Sequence, residues 1–285
     1  MDLKRVPLIT SLPPSFSRVD GAGVDVGAHW LEICVRSWVK HGFQPVTVNS
    51  EKEVLPEFEL LPEFTQLKVD KDGFDQFGKR YVALGDMIEC VLQNYDGPIA
   101  ITNSDIALDL TEAARSQIAS LNPGSCIVCN RIDIETPDFD QGVRYSAGFD
   151  FFVFHTSDLK KLSANGMYFG TPWWDYFLPV NLLNQGIRRL PSEGIVAYHL
   201  THADRWKRRL WRKLGLQFAS DMRALGTAGD RAFLSDLDKA LKRKRKSKHK
   251  LLSRIVPEAF RRTDFYAVAD LSVAYIDRAQ ESGQR

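Results

Sequence analysis

Cysteine is scarce in this chain: four in 285 residues, at Cys34, Cys90, Cys126 and Cys129. The pair Cys126-Ile-Val-Cys129 has redox or zinc spacing, but no second pair exists to complete a four-ligand site. It sits in "SCIVCNRIDI", which reads as a buried strand in which Cys acts as a small hydrophobe. Long apolar runs are missing as well. No window reaches a bilayer-spanning length, and "MDLKRVPLITSLPPSF" lacks the apolar stretch of a signal peptide. A cytoplasmic location is expected, with contact to the inner face of a membrane left open. Internal repeats are absent, and the net charge is only +2.

What the chain does have is ordinary in bulk and uneven in detail. A hydrophobic fraction of 44% and a charged fraction of 26% are those of a globular protein. The length is sufficient to bury a sizeable core. Charge is not spread evenly. Lys242 to Lys250 ("KRKRKSKHK") is a basic run, and Arg205 to Lys213 carries six further Lys and Arg. Such asymmetry points to an anionic partner.

The periodicity reads as alternating strands and helices over the first half. "VPLITSL" is a strand closed by Pro13-Pro14. "DVGAHWLEICVRSWVKHG" is a helix stopped at Gly42. "FQPVTVNS" and "FTQLKVD" are strands, Tyr81 to Tyr95 an amphipathic helix, and "PIAITNSDIAL" an apolar run that turns polar in its middle. This order predicts an α/β fold, with a mostly parallel sheet flanked by helices in the Rossmann-like manner. "TEAARSQIASL" is then helical, "CIVCNRIDI", "FDFFVFHTS" and "GIVAYHLTH" are strands, and nearly everything beyond Arg205 reads as helix. The simplest division is an α/β domain over 1–204 followed by a basic helical extension over 205–285.

Three stretches could carry chemistry. In "IAITNSDIAL", Asn103, Ser104 and Asp105 follow a strand, and ligands of open α/β sheets bind beyond the carboxyl ends of strands. Asp105 there can offer oxygen to a hard divalent cation, although, taken alone, the stretch favours an Asn/Ser/Asp turn held by its own hydrogen bonds. In "GIVAYHLTHADRW", His199 and His202 end an apolar strand and could ligate a metal or lie on the surface. No Glu lies between them, so this is not a zincin motif. In "FGTPWWDYFLPV", Gly170 allows close backbone approach, Trp173 or Trp174 offers a flat face to a sugar, and Asp175 can accept a proton. Alternation assigns the two rings different destinations: Trp173 inward and Trp174 toward a cleft. The rival reading makes Asp175 a helix cap.

In this order, a polar turn with Asp105, a glycine loop at Gly170, Asp175 and a late histidine resemble the GT-A-fold glycosyltransferases, over about residues 6–202. The resemblance implies a GT-A-like domain that moves a sugar from a nucleotide-sugar donor to a glycan or lipid-linked acceptor. It implies Asp175 as the catalytic base of an inverting reaction. It also implies a divalent cation, Mn²⁺ or Mg²⁺, held by Asp105 with His199 or His202. The strand ends at Thr10, Ser11 and Asn49 would hold the nucleotide. From the residues themselves, Asp150, in "AGFDFFVF", reads as a strand-end cap or as a group that could bind donor-sugar hydroxyls, and Arg131 as a surface salt-bridge partner or a group that could pair with a phosphate. Asn103 stands where the family's first acidic residue would be, which weakens or re-routes metal dependence.

The basic run has three readings: a solvated face, docking to an anionic membrane surface, or nucleic-acid binding. The last is disfavoured because no interleaved aromatics accompany it. Two alternatives to the transferase remain. One is a non-catalytic nucleotide- or sugar-binding protein with a decayed metal site, and the other is a nucleic-acid-binding protein acting through residues 242–250.

Overall fold

In the computed structural model, residues 5–20, 23–55, 59–139, 142–145, 148–162, 164, 166–202 and 206–224 are described. The basic run at 242–250 lies outside them.

The first half alternates as the periodicity requires. In order come β1 (Val6–Thr10), α1 (Gly27–Lys40), β2 (Phe43–Ser50), β3 (Thr65–Val69), α2 (Phe74–Phe77), α3 (Leu84–Asn94) and β4 (Pro98–Thr102). Then follow β5 (Ile106–Leu110), α4 (Glu112–Ala119), β6 (Ser125–Cys129), β7 (Arg131–Ile134) and β8 (Gly142–Tyr145). The last described elements are β9 (Phe151–His155), α5 (Thr156–Leu159), α6 (Trp174–Asn184), β10 (Arg188–Arg189), β11 (Ile195–Leu200) and α7 (Arg208–Ala224).

Seven strands form one sheet in the order β10-β6-β9-β4-β1-β2-β3. Its β1, β2, β3 and β4 run parallel, β9 runs antiparallel between β4 and β6, and β10 pairs parallel with β6. The α/β expectation of a mostly parallel sheet flanked by helices therefore holds. A second sheet of four strands, β5-β11-β7-β8, was not foreseen. It takes β11, which alternation alone would have added to the main sheet. It also splits "CIVCNRIDI", leaving β6 in the large sheet and β7 in the small one.

The strand alternation shows how the large sheet is sandwiched. Ile9, Ile99, Ile101, Cys126, Val128, Phe152 and Phe154 pack on the face covered by α3, α6 and α7. Their neighbours Leu8, Ala100, Ile127, Cys129, Phe151 and Val153 pack on the other face, with α1, α4 and strands of the small sheet. Cys126 and Cys129 thus point to opposite faces, and burial pushes both thiols up to about 12. Their spacing is that of a strand interior, and they share no site.

The core continues past the expected division at residue 204. Helix α7 buries Trp211, Leu214, Phe218, Ala219 and Met222 in the same cluster as β1, β2 and β4. This is an apolar stripe at helical spacing with Lys and Arg on the opposite side. The described residues that read as the start of a basic extension form a helix packed into this core against α6 and Trp173.

Candidate active site

The turn between β4 and β5 is positioned by two tryptophans of α1. Trp30, Leu31, Cys34, Val35 and Trp38 form the buried stripe of that helix. The Trp30 indole N–H donates to the Asp105 carbonyl (3.0 Å), and the Trp38 indole N–H donates to that of Ile106 (2.8 Å). The main chain leading out of Asp105 into β5 is thereby anchored to α1 by two carbonyls.

Asp105 faces two histidines from the end of β11 and the segment beyond it. His199 Nε2 lies 3.6 Å and His202 Nε2 3.8 Å from the same oxygen, Asp105 Oδ2. One ligand atom from each of the three residues falls within 4.8 Å of the other two. His199 Nδ1 is 2.9 Å from Asp133 Oδ1, so its other nitrogen is turned to Asp105. A carboxylate behind a ligating histidine is the usual device for fixing ring orientation. The donor set therefore fits a divalent cation. Two imidazoles and one carboxylate suit a transition ion such as Mn²⁺ better than Mg²⁺, which prefers oxygen alone.

The cluster continues as one ionic chain. Arg131 Nε donates to Asp133 (2.6 Å), and its Nη1 reaches both oxygens of Asp150 (3.1 and 3.2 Å). Asn103 Nδ2 donates to Asp150 Oδ1 (3.1 Å), and the Arg131 guanidinium lies 4.3 Å over the Tyr145 ring. At the other end Arg18 Nη2 meets Asp105 Oδ2 at 2.5 Å. Three carboxylates (Asp105, Asp133, Asp150) thus face two guanidiniums, with His199 between two of the acids.

The electrostatics follow from this enclosure. Burial alone would raise the Asp105 pKa, but His199 and Arg18 outweigh it and hold the carboxyl well below its usual range. Burial alone would lower that of His199, and its contacts with Asp105 and Asp133 reverse the sign to a net rise. For Asp133, too, the upward push of burial is overcome by His199 and Arg131. The charges here stabilise one another against the cost of burial.

Asp175 behaves in the opposite way. It stands in the first turn of α6, half-buried, with Gly148 opposite: a Cβ added there would meet the Tyr145 ring at 2.8 Å and Asp175 Oδ2 at 3.5 Å. Burial and the nearby Asp150 charge push its pKa up to about 8, against the pull of the α6 amides and Arg131. A carboxyl of that strength is a far better proton acceptor than an ordinary aspartate.

Several expected roles change in the folded chain. Trp174 does not face a cleft: it is 3% exposed and packs against Phe169 (4.3 Å between ring centres) and Phe152. Trp173, 1% exposed, stacks on Phe218, packs tilted against Trp211 and donates from its indole N–H to the Trp211 carbonyl (2.9 Å). Strand-like alternation failed because the segment is no strand. Trp173 has φ +81° and Trp174 already belongs to α6, so the turn sends both rings inward. Gly170, at φ +75°, completes that turn.

Arg131 pairs with Asp133 and Asp150, and Asp150 with Arg131 and Asn103, so in this structure these residues buttress the site. Asn49 is fully buried and bonds to Thr47, the Leu12 carbonyl and Glu53. It clamps the β1 and β2 ends together and is closed to a nucleotide. Ser11 accepts a long bond from Asn49 (3.4 Å) and is half-buried. Thr10 is buried, its hydroxyl without a hydrogen-bond partner among the described residues. Ser104, in the β4–β5 turn beside Asp105, is also buried.

Arg18 and Asp133 were missed. Asp133 had a signal: two residues after Arg131 on a strand, it faces the same way. Arg18 had none, being a lone arginine in a loop 87 residues from its partner.

Fold and site define a mixed α/β protein with a candidate metal centre at the junction of two sheets. No protein-family model matches the chain, and no curated protein matches it. Among solved structures, that of HddC from Yersinia pseudotuberculosis is similar at a TM-score of 0.33 and 9% identity, covering 59% of this chain and 85% of that chain. A structure of the same protein complexed with GMP-PN gives a TM-score of 0.30 at 9% identity, over 55% and 80% of the two chains. Likeness of this degree carries no functional argument, and function rests on the residues themselves.

Proposed function

We propose that the protein is a GT-A-like glycosyltransferase that uses a nucleotide-sugar donor and a divalent cation. The observation that carries this reading is the ionic chain Asp105–His199–Asp133–Arg131–Asp150, with a ligand set for a cation at one end and a proton-accepting carboxyl, Asp175, near the other. Transfer of a sugar needs both. A cation bound by Asp105, His199 and His202 would offset the negative charge that develops on the leaving diphosphate.

The remaining work belongs to the chain's own groups. Asp175 takes the proton from the acceptor hydroxyl as its oxygen bonds to the anomeric carbon and the bond to the diphosphate oxygen breaks. The Asp150 charge and the apolar surroundings that raise the Asp175 pKa also raise its basicity. Arg131 offsets the Asp150 charge and keeps the two carboxyls in a fixed relation. An inverting outcome follows from direct displacement with one base. A glycan or lipid-linked acceptor is consistent with the basic run at 242–250, which suits an anionic membrane surface. No described helix is long and apolar enough to cross a membrane.

The test is a panel of nucleotide sugars, screened first by thermal shift and then for release of nucleotide diphosphate with and without Mn²⁺. Mn²⁺-dependent turnover of at least one donor, lost in Asp175→Asn, is the expected result. A folded protein that neither binds nor turns over any donor overturns the reading.

A further inference from the structure

The side chain of Arg18 is 6% exposed, yet it belongs to the connection between β1 and α1, far in sequence from the acid it pairs with. Its Nη2 holds Asp105 Oδ2 at 2.5 Å, and this is the oxygen toward which His199 and His202 turn their Nε2 atoms. The candidate cation site therefore already has a cation on its one carboxylate. A second, divalent charge on that oxygen would lie against the guanidinium in a buried place, where like charges repel strongly. The two occupants oppose each other.

The guanidinium is also incompletely used. Nη1 donates to the Ser17 carbonyl (2.9 Å) and the plane stacks on Phe16 (4.4 Å). Its Nε is buried with no hydrogen-bond partner among the described residues. A buried arginine that leaves a donor unspent is primed for another acceptor, and a phosphate oxygen pair matches its fork.

The described backbone around it is tied by hydrogen bonds on both sides of Arg18. Asp25 accepts from the Arg18 amide (2.9 Å), the Gly27 amide (2.9 Å) and the Ser17 hydroxyl (2.6 Å), and the Val26 amide donates to the Arg18 carbonyl (2.7 Å). A Cβ on Gly27 would come within 2.3 Å of the Phe16 carbonyl oxygen, so the backbone of Phe16, Ser17 and Arg18 lies close against the start of α1.

We propose that Arg18 is a phosphate-binding residue held in reserve at the cation site. At rest its guanidinium neutralises Asp105; when a diphosphate brings a divalent cation to Asp105, His199 and His202, the guanidinium leaves the carboxylate and pairs with the diphosphate. This deepens the reading of the site given above and rests on it. It explains how a site with one carboxylate stays closed to free metal yet accepts metal together with diphosphate. The exchange leaves no buried charge unpaired, since each cation departs only as an anion arrives.

The experiment titrates Mn²⁺ alone, and inorganic pyrophosphate in the presence of Mn²⁺, into the full chain by calorimetry and Mn²⁺ electron paramagnetic resonance. In the wild type each ligand should tighten the other. Arg18→Met should bind Mn²⁺ alone roughly ten-fold more tightly and pyrophosphate roughly ten-fold more weakly, since it removes the competitor and the phosphate partner together. Arg18→Lys keeps a positive charge beside Asp105, which protects folding, but lacks the fork. It should bind Mn²⁺ near the wild-type level and pyrophosphate more weakly. Unchanged affinities in both variants, or weaker Mn²⁺ binding in Arg18→Met, would overturn the exchange. A chain that shows the opposite shifts but turns over no nucleotide sugar loses only the transferase reading. A chain that turns over donor with no effect of Arg18 loses only the exchange, and wild-type protein that binds neither probe loses both.

Discussion

Asp105 is buried and Asp175 half-buried, both near other charges, and their pKa values move in opposite directions. Asp105 has two cationic partners within reach, whereas Asp175 has burial and the Asp150 carboxylate against it. This difference yields two predictions. Removing the base while keeping its shape, Asp175→Asn, should lower kcat by roughly 10²–10⁴-fold with little change in donor binding. The wild-type rate should rise with pH up to about 8, the value for Asp175, and the variant should lack that limb. Steady-state kinetics across pH measure both. The second concerns stability. The folded-state pKa is raised from 3.8 to about 8, so the carboxyl's contribution is fully present below pH 3.8 and is lost as pH rises through 8. Asp175→Asn abolishes that loss. The melting temperature of the variant relative to wild type should therefore climb between these limits, as thermal unfolding at a series of pH values would record. A flat difference would mean that Asp175 is solvated.

At the scale of elements, the Gly-Thr-Pro-Trp-Trp turn and α7 form one unit. Trp173 sits at φ +81°, a conformation that costs an L residue about 1–2 kcal/mol, and its ring is pinned to α7 by Trp211 and Phe218. The aromatic packing compensates for the backbone. Trp174→Ala should accordingly destabilise the fold by about 3–5 kcal/mol, the range for deleting a buried large aromatic. Any change in KM should be secondary to that loss and should not single out one sugar. Denaturant titration alongside kinetics distinguishes the outcomes, because a selective KM effect at wild-type stability would place the ring in a substrate cleft. A chain cut after residue 204 should expose the Trp173 face and bind a hydrophobic dye. If it instead melts like the full chain, α7 is an independent appendage.

Over the whole molecule, the ionic chain joins the two sheets. Asp105 lies between β4 of the large sheet and β5 of the small one; His199, Asp133 and Arg131 belong to the small sheet, and Asp150 leads into β9 of the large one. Removing Arg131 leaves Asp133 and Asp150 without their shared cation. Arg131→Ala should therefore cost about 3–5 kcal/mol, the usual penalty for breaking a buried pair from one side. The loss should be local to the seam. Amide exchange should quicken in β7, β8 and β11 and remain slow in β1 and β2, and uniform loosening of both sheets would contradict a stapling role.

Much of this was readable from residues alone. Strand and helix periods over the first half, the burial of Cys126 and Cys129, and the interest of Asp105, His199, Arg131, Asp150 and Asp175 all follow from short-range patterns. Apolar runs that end in polar residues mark where strands stop and where a site can lie. The tertiary structure decided the rest: the antiparallel β9, the second sheet, the seating of α7, the inward turn of both tryptophans and the contact between Arg18 and Asp105. None of these is a property of a short window. Strand pairing depends on which edges are left open once neighbouring elements have packed, and a ring's direction depends on a backbone angle that packing enforces. A charge's partner depends on which loops the fold brings together. The same physics gave Asp105 and Asp175 opposite proton affinities, because burial and neighbouring charges exist only after the chain has folded.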